Sequence, residues 1–326
     1  MPGSSDIRVI GIDISGDFGS GIRGGLVDGT GAIVARKEAL TPLTGEAELV
    51  EAVATMGGRL AEGARRDGSP PSALGVTVPG LIDEASGVVK RSPNLPLQGS
   101  ALAPALSARL GLPVFLVHDT GAGALAESIL GAGRGVADML LVVLGAGVGG
   151  AVISGGRLLV GATASAGEIG HISVDPAGLP CGCGGRGCLE TLAAERALAL
   201  RYTMASKVAV LPEEVLSRAA QGDALARRVW NEAMVALATV VSTAAILIDC
   251  AMVVLAGPTT LPGASVVPLR ALLPQRMNLV RPPRVELSSL GATAGVLGAA
   301  VAALERSSMG EVTRAWREAA PPPVSA

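Results

Sequence analysis

Residues 167–190 read GEIGHISVDPAGLPCGCGGRGCLE and hold one of two histidines and three of four cysteines in the chain. His171 precedes Cys181, Cys183 and Cys188 in the order H-x9-C-x-C-x4-C. One imidazole and three thiolates are a donor set that suits tetrahedral zinc, a borderline-soft ion taking nitrogen and sulfur. Gly182, Gly184, Gly185 and Gly187 fill the gaps, where a backbone wrapping an ion needs positive φ and little bulk. A disulfide plus one spare thiol is the competing reading and would belong to an oxidising compartment, but it leaves the glycine spacing unexplained. Four ligands would close the coordination sphere. The ion is therefore expected to be structural, stabilising the loop by roughly 10 kcal/mol.

The 326 residues are enough for two domains of ordinary size. Apolar residues make up 49% and charged residues 17%, which allows a large core, yet aromatics are only 2%. Ala, Gly, Val and Leu must therefore do the packing. A net charge of −2 argues against a nucleic-acid partner, which calls for a basic stripe. The pairs Arg65-Arg66 and Arg227-Arg228 read as solvated helix faces. MPGSSDIR lacks the charged and apolar regions of a signal peptide. The apolar run 233–248, about 16 residues, is shorter than a bilayer span, so a buried helix and no membrane partner are expected. Few cysteines, three of them committed to metal, fit a reducing cytoplasm. Cys250, in IDCAMVVLAG, reads as a packed core thiol.

RVIGIDI, ending in a carboxylate followed by glycines, predicts a buried strand over 8–14 that feeds a turn. Strands at 24–27 and 32–35 follow, joined at Asp28-Gly29. A helix at 46–66, strands at 73–78 and near Val88-Val89, a helix at 100–110 and a strand at 113–117 complete the first pass. The second pass opens with a strand at 139–144, a glycine turn, a strand at 151–153 and a hairpin at Gly155-Gly156. Helices at 192–201, 212–221 and 224–248, strands at 252–255 and 285–287, and a helix at 294–306 complete it. The tail from Thr313, with prolines at 321–323, is expected to be disordered. Both halves thus open with strand, glycine turn and strand, a duplicated α/β plan.

GEIGH followed by CGCGGRGCLE resembles the ROK family of sugar kinases and sugar-responsive repressors, with its E-x-G-H and C-x-C-G-x-x-G-C-x-E signatures. Further matching stretches extend the resemblance from about Ile7 to Glu305. It implies an α/β, two-lobed actin-like (ribonuclease H-like) sugar-kinase fold with a duplicated βββαβα plan. Residues 7–117 would form a smaller lobe completed by helix 294–306, and 118–293 a larger lobe carrying the zinc loop. It also implies a homodimer. Repressors of the family carry an N-terminal helix-turn-helix domain. A first strand at about Ile7 leaves no room for one, so a free-standing kinase is expected.

The resemblance assigns roles residue by residue. DISGDFGS (13–20) stands where the family has Asp-x-Gly-Gly-Thr, about three residues longer, with Ser15 for Gly and Ser20 for Thr. Its amides, at Gly16 among others, would cradle phosphate and Asp13 would hold Mg2+ through water. LGAGVGG (144–150) resembles LGTGxGG, so Gly145, Gly147 and Gly149 would approach the transferred phosphate, while Ala146 replaces Thr. Gly257 falls on the adenosine-side Gly-Gly turn, where Pro258 removes an N–H. VHDTG (117–121) resembles the Asn-Asp-x-Asn stretch, placing Asp119 on the catalytic base rather than on a mere helix cap. His118 replaces an Asn that holds a sugar hydroxyl, and Gly121 replaces the second Asn. Glu168, His171 and Glu190 carry over as sugar contacts, His171 binding zinc through its other nitrogen. TVPGL (77–81) and SPNLP (92–96) also match, with Gly80 and Asn94 lining the pocket.

The expected activity is ATP-dependent phosphorylation of a hexose hydroxyl, most simply by a glucokinase, with Mg2+ arriving with ATP. N-acetylmannosamine as acceptor and polyphosphate as donor stay open. The departures at Ala146, His118 and Pro258 favour a second expectation, a sugar-binding regulator that has lost catalysis.

Overall fold

RVIGIDI forms β1 (Arg8–Ile14), buried at every position after Arg8, which is why the run shows no polar alternation. The structure is a computed structural model describing residues 6–14, 21–260 and 262–319. β1 pairs antiparallel with β2 (Gly21–Asp28), and β2 with β3 (Ile33–Leu40). The turn at Asp28 is fixed by its carboxylate, which accepts from the Thr30 N–H at 2.8 Å and the Thr30 hydroxyl at 2.6 Å. α1 (Glu46–Arg66) and β4 (Leu74–Val78) follow, then a small antiparallel sheet of β5 (Leu81–Asp83), β6 (Val88–Arg91) and β7 (Gln98–Ser100). α2 (Leu102–Leu110), β8 (Val114–His118) and α3 (Asp119–Leu130) come next. The main sheet runs β3-β2-β1-β4-β8, with β1, β4 and β8 parallel.

The second unit repeats the plan. β9 (Met139–Leu144) and β10 (Val148–Ser154) form the hairpin, extended by β11 (Arg157–Leu158). After the cysteine loop come α4 (Glu190–Ala193), α5 (Glu195–Ser206), α6 (Pro212–Ala220) and α7 (Ala224–Ile248). β12 (Met252–Ala256), α8 (Val267–Leu272) and β13 (Arg284–Leu287) complete it. Its sheet runs β11-β10-β9-β12-β13, with β12 parallel to both β9 and β13. The helix expected at 192–201 is two helices, because Ala194 is extended (ψ 149) between them. α7 is capped by Asp223, which accepts from the N–H groups of Leu225 and Ala226. It buries Trp230, Met234, Leu237 and Val241 in one core with Leu140, Val142, Val253 and Leu255, as expected of a buried helix. Cys250 lies in the same core, and burial pushes its thiol up to about 11.

The chain then returns to the first unit with α9 (Ala294–Arg306) and α10 (Gly310–Glu318). The first unit runs through Gly135 and includes Val160–Ser165 and the residues from Leu290, while Val136–Leu159 and Ala166–Ser289 form the second. The boundary expected after 117 thus falls later, because α3 packs on α9. A Cβ at Gly298 would stand 1.9 Å from the Ala122 carbonyl oxygen. The tail expected to be disordered from Thr313 is helical through Glu318. Thr313 and Trp316 are buried, and the Trp316 indole donates to the Gly29 carbonyl at 2.9 Å. Residues 320–326 lie outside the described residues.

α9 also meets the sheet without intervening side chains. A Cβ at Gly75 would come within 1.9 Å of the Ala299 carbonyl oxygen, whereas one at Gly63, in α1, would meet nothing within 4 Å. Gly75→Ala is expected to lower stability by about 1–3 kcal/mol or more, and Gly63→Ala to raise it by about 0.5–1 kcal/mol. Urea unfolding of the two variants checks both signs.

Candidate functional site

The cysteine loop begins at a 3-10 turn, Ile169–His171, and closes on itself. Cys181 N–H donates to the Gly185 carbonyl at 2.9 Å and Gly184 N–H to the Cys181 carbonyl at 3.0 Å. Gly184 (φ +91°) and Gly187 (φ +59°) take the left-handed conformation expected of loop glycines, and a Cβ at Gly187 would meet the Asp175 carbonyl at 1.6 Å. Gly182 and Gly185 do not adopt positive φ. A Cβ at Gly185 would make ordinary contact with the Cys183 and Cys188 sulfurs, and Gly182 has open space around it.

The ligand atoms of His171, Cys181, Cys183 and Cys188 all lie within 4.8 Å of one another, so the cluster could hold a metal ion. His171 Nδ1 is 3.5 Å from Cys181 Sγ, and Cys183 Sγ is 3.7 Å from Cys188 Sγ. Zn–S and Zn–N bonds of ordinary length give tetrahedral edges of about 3.8 Å (S to S) and about 3.6 Å (S to N). A disulfide needs about 2.05 Å, and all four cysteines are free. The spacing therefore fits an ion. The Gly185 N–H, foremost, holds the Cys183 thiol below its ordinary range, while burial pushes Cys188 up to about 12. A cation among them would favour the thiolates that ligation requires.

The other nitrogen of His171, Nε2, lies 3.9 Å from Glu168 Oε2. The imidazole is thus divided between the cluster and an exposed carboxylate. Glu190 has a contact that the sequence reading did not include: its Oε2 accepts the Val148 N–H at 3.0 Å. The glycine turn is residues 145–147, closed by Gly145 N–H to the Gly147 carbonyl at 3.0 Å. Gly149, expected in the turn, lies in β10 opposite Val143. Gly257 (φ +106°) packs on the base of this turn, where a Cβ would meet the Leu144 carbonyl oxygen at 2.0 Å. The Thr259 hydroxyl donates to that same oxygen at 3.1 Å.

In the first unit, register does the assembling. Asp13 aligns with Thr77 and Thr77 with Val117, so the C-terminal ends of β1, β4 and β8 bring Asp13, Thr77 and His118-Asp119 to one sheet edge. That edge is where ligands of parallel α/β sheets sit. Asp13, expected to hold Mg2+ through water, is only 7% exposed and has both oxygens engaged. Oδ2 pairs with Arg23 Nη2 at 2.7 Å, and Oδ1 accepts from the Thr77 hydroxyl at 2.6 Å. One contact to each oxygen leaves each with a second acceptor site. Gly16 and Ser20 lie outside the described residues.

Asp119 is the first residue of α3, and its Oδ1 accepts the Thr120 N–H at 2.6 Å. His118 Nδ1 lies 3.3 Å from the same oxygen and 2.8 Å from Thr120 Oγ1. Sequence reasoning missed the support behind this pair. Glu84 accepts the His118 N–H at 3.3 Å and pairs with Arg306, which donates to the Leu116 carbonyl at 2.5 Å. Gly80 (φ +108°) makes the turn after β4, where a Cβ would meet the Arg91 carbonyl at 2.4 Å. Asn94 is exposed in the loop before β7.

Cys183→Ser and Cys188→Ser are each expected to abolish stoichiometric metal, measured by elemental analysis of purified protein, and to lower the melting temperature. Full metal content in both variants would remove the cluster from a ligand role.

The ROK family profile matches residues 9–306. A glucokinase from Streptomyces coelicolor is 37% identical over 214 residues, covering 66% of this chain and 64% of that protein. The chain thus spans just under two thirds of that relative's length. The ROK hexokinase from Thermus thermophilus superposes with a TM-score of 0.82 at 34% identity, over 91% of this chain and 98% of that one. A ROK family glucokinase from Streptomyces griseus, in complex with glucose and AMPPNP, gives 0.76 at 29% identity, over 91% and 99%. A profile match across most of the chain, joined to a shared fold, makes this protein a member of the ROK family.

Proposed function

We propose that this chain is an ATP-dependent hexose kinase, most simply a glucokinase, with Asp119 as the base that takes the proton of the sugar hydroxyl. The observation that carries this reading is the position of Asp119. It is a carboxylate at the C-terminal end of a parallel strand, its side chain 40% exposed, with an imidazole 3.3 Å away. A base must be reachable and correctly held before its basicity matters. Glu168, His171 and Glu190, with His118, Gly80 and Asn94, are assigned to sugar hydroxyls. The amides of Ala146 and Gly147, in the turn opened by Gly145 and followed by Gly149, and the Gly257 turn are assigned to the donor. Mg2+ is assigned to the phosphates of ATP, with Asp13 as its contact through water. The metal of the cysteine loop is assigned as structural zinc, orienting His171 through Nδ1. A cytoplasmic homodimer completes the reading, on family likeness.

A coupled ADP-release assay over a hexose panel tests it. Turnover with at least one hexose is expected, and Asp119→Asn should cost roughly 10²–10⁴ in kcat with little change in sugar affinity. Full turnover by that variant would take the base role away from Asp119. Ala146 and the Asp13–Arg23 pair favour a second reading, a sugar-binding regulator without catalysis. In that case sugar raises the melting temperature while ATP with Mg2+ does not.

A further inference from the structure

One short segment joins the metal cluster to the glycine turn. Glu190, two residues after Cys188, takes the Val148 N–H. The Glu195 N–H donates to the Gly145 carbonyl at 2.9 Å, and Arg196 Nε to the Ala146 carbonyl at 3.0 Å. The segment is itself stiff. Leu189 is fully buried and donates to the Ile172 carbonyl at 2.9 Å. Thr191 bonds the Cys188 carbonyl through both its N–H and its hydroxyl, at 2.9 and 2.8 Å. A displacement of Cys188 is therefore passed directly to Glu190. Cys181 and Gly182 of the metal loop share a cleft of about 340 Å³ with Ala146, Glu190 and Arg196.

The direction of these bonds matters. In a trans peptide the C=O and the following N–H point opposite ways. Holding the Gly145 and Ala146 carbonyls toward α5 turns the N–H groups of Ala146 and Gly147 to the other face. Among the described residues neither N–H has a hydrogen-bond partner. Two such amides in a turn make an anion site.

We propose that residues 190–196 hold the glycine turn in its anion-binding conformation and make that conformation depend on the occupied metal cluster. Glu190 and Arg196 are positioning residues, acting through the Val148 amide and the Ala146 carbonyl. The consequence for donor affinity rests on the kinase reading, whereas the mechanical link does not.

Amide hydrogen exchange tests the link without a nucleotide. Withdrawing the metal with a chelator should speed exchange at Val148 and Glu195 about tenfold or more, while α9 keeps its protection. In metal-loaded protein, Glu190→Ala should expose Val148. Glu190→Gln, whose amide oxygen accepts the same bond, should restore protection. Arg196→Ala, its metal content unchanged, should weaken AMPPNP binding about tenfold or more, the effect of losing one charge-assisted contact. Equal protection with and without metal overturns the proposal, as does Val148 protection unchanged in metal-loaded Glu190→Ala. If chelation unfolds the whole second unit, the metal-loaded variants decide. Wild-type protein that binds no AMPPNP defeats the kinase reading and leaves the exchange data to judge the link.

Discussion

Backbone packs directly on backbone wherever this protein assembles its candidate site. The chain has 45 glycines and 2% aromatics, so close approach of main chains takes the place that large side chains fill in other cores. α9 lies on β4 at Gly75, the 3-10 turn before His171 lies on Val148 at Gly170, and the Gly257 turn lies on Leu144. Each contact fixes a helix or a turn to a strand with no rotamer in between. The strand ends carrying Asp13, Thr77 and His118 are aligned by sheet register, which is equally free of side-chain choice. Polar groups at the site thus inherit their positions from the main chain.

That arrangement also explains what could be read from the sequence. Buried strands such as RVIGIDI and MVVL announce themselves by unbroken apolar runs, and the cysteine loop by donor type and spacing. The unit boundary was not legible. α3 looks like the start of a second half, and its partner α9 lies far along the chain. The last helix was missed because its inward face rests on Thr313 and Trp316 within a strongly polar stretch.

Side-chain pairs across strands were the other blind spot. Asp13 and Arg23 stand directly opposite in the β1–β2 register, so an antiparallel hairpin drawn back from the Asp28 turn would have paired them. Glu84 and Arg306 had no such signal, since only the folded unit brings them together behind His118. The sequence points Glu190 to the sugar alone; its bond to the Val148 amide depends on where α4 begins.

The spacing of the two sulfurs at Cys183 and Cys188 has a chemical side beyond coordination. At 3.7 Å they are neighbours without being bonded, and the Gly185 amide favours the thiolate of Cys183. A bound ion occupies both lone pairs and so acts as a protecting group. Stripped of it in the presence of an oxidant, the same pair closes to a disulfide, giving up two electrons and two protons. The loop that orders itself around an ion is, by the same proximity, open to oxidative damage once that ion is lost.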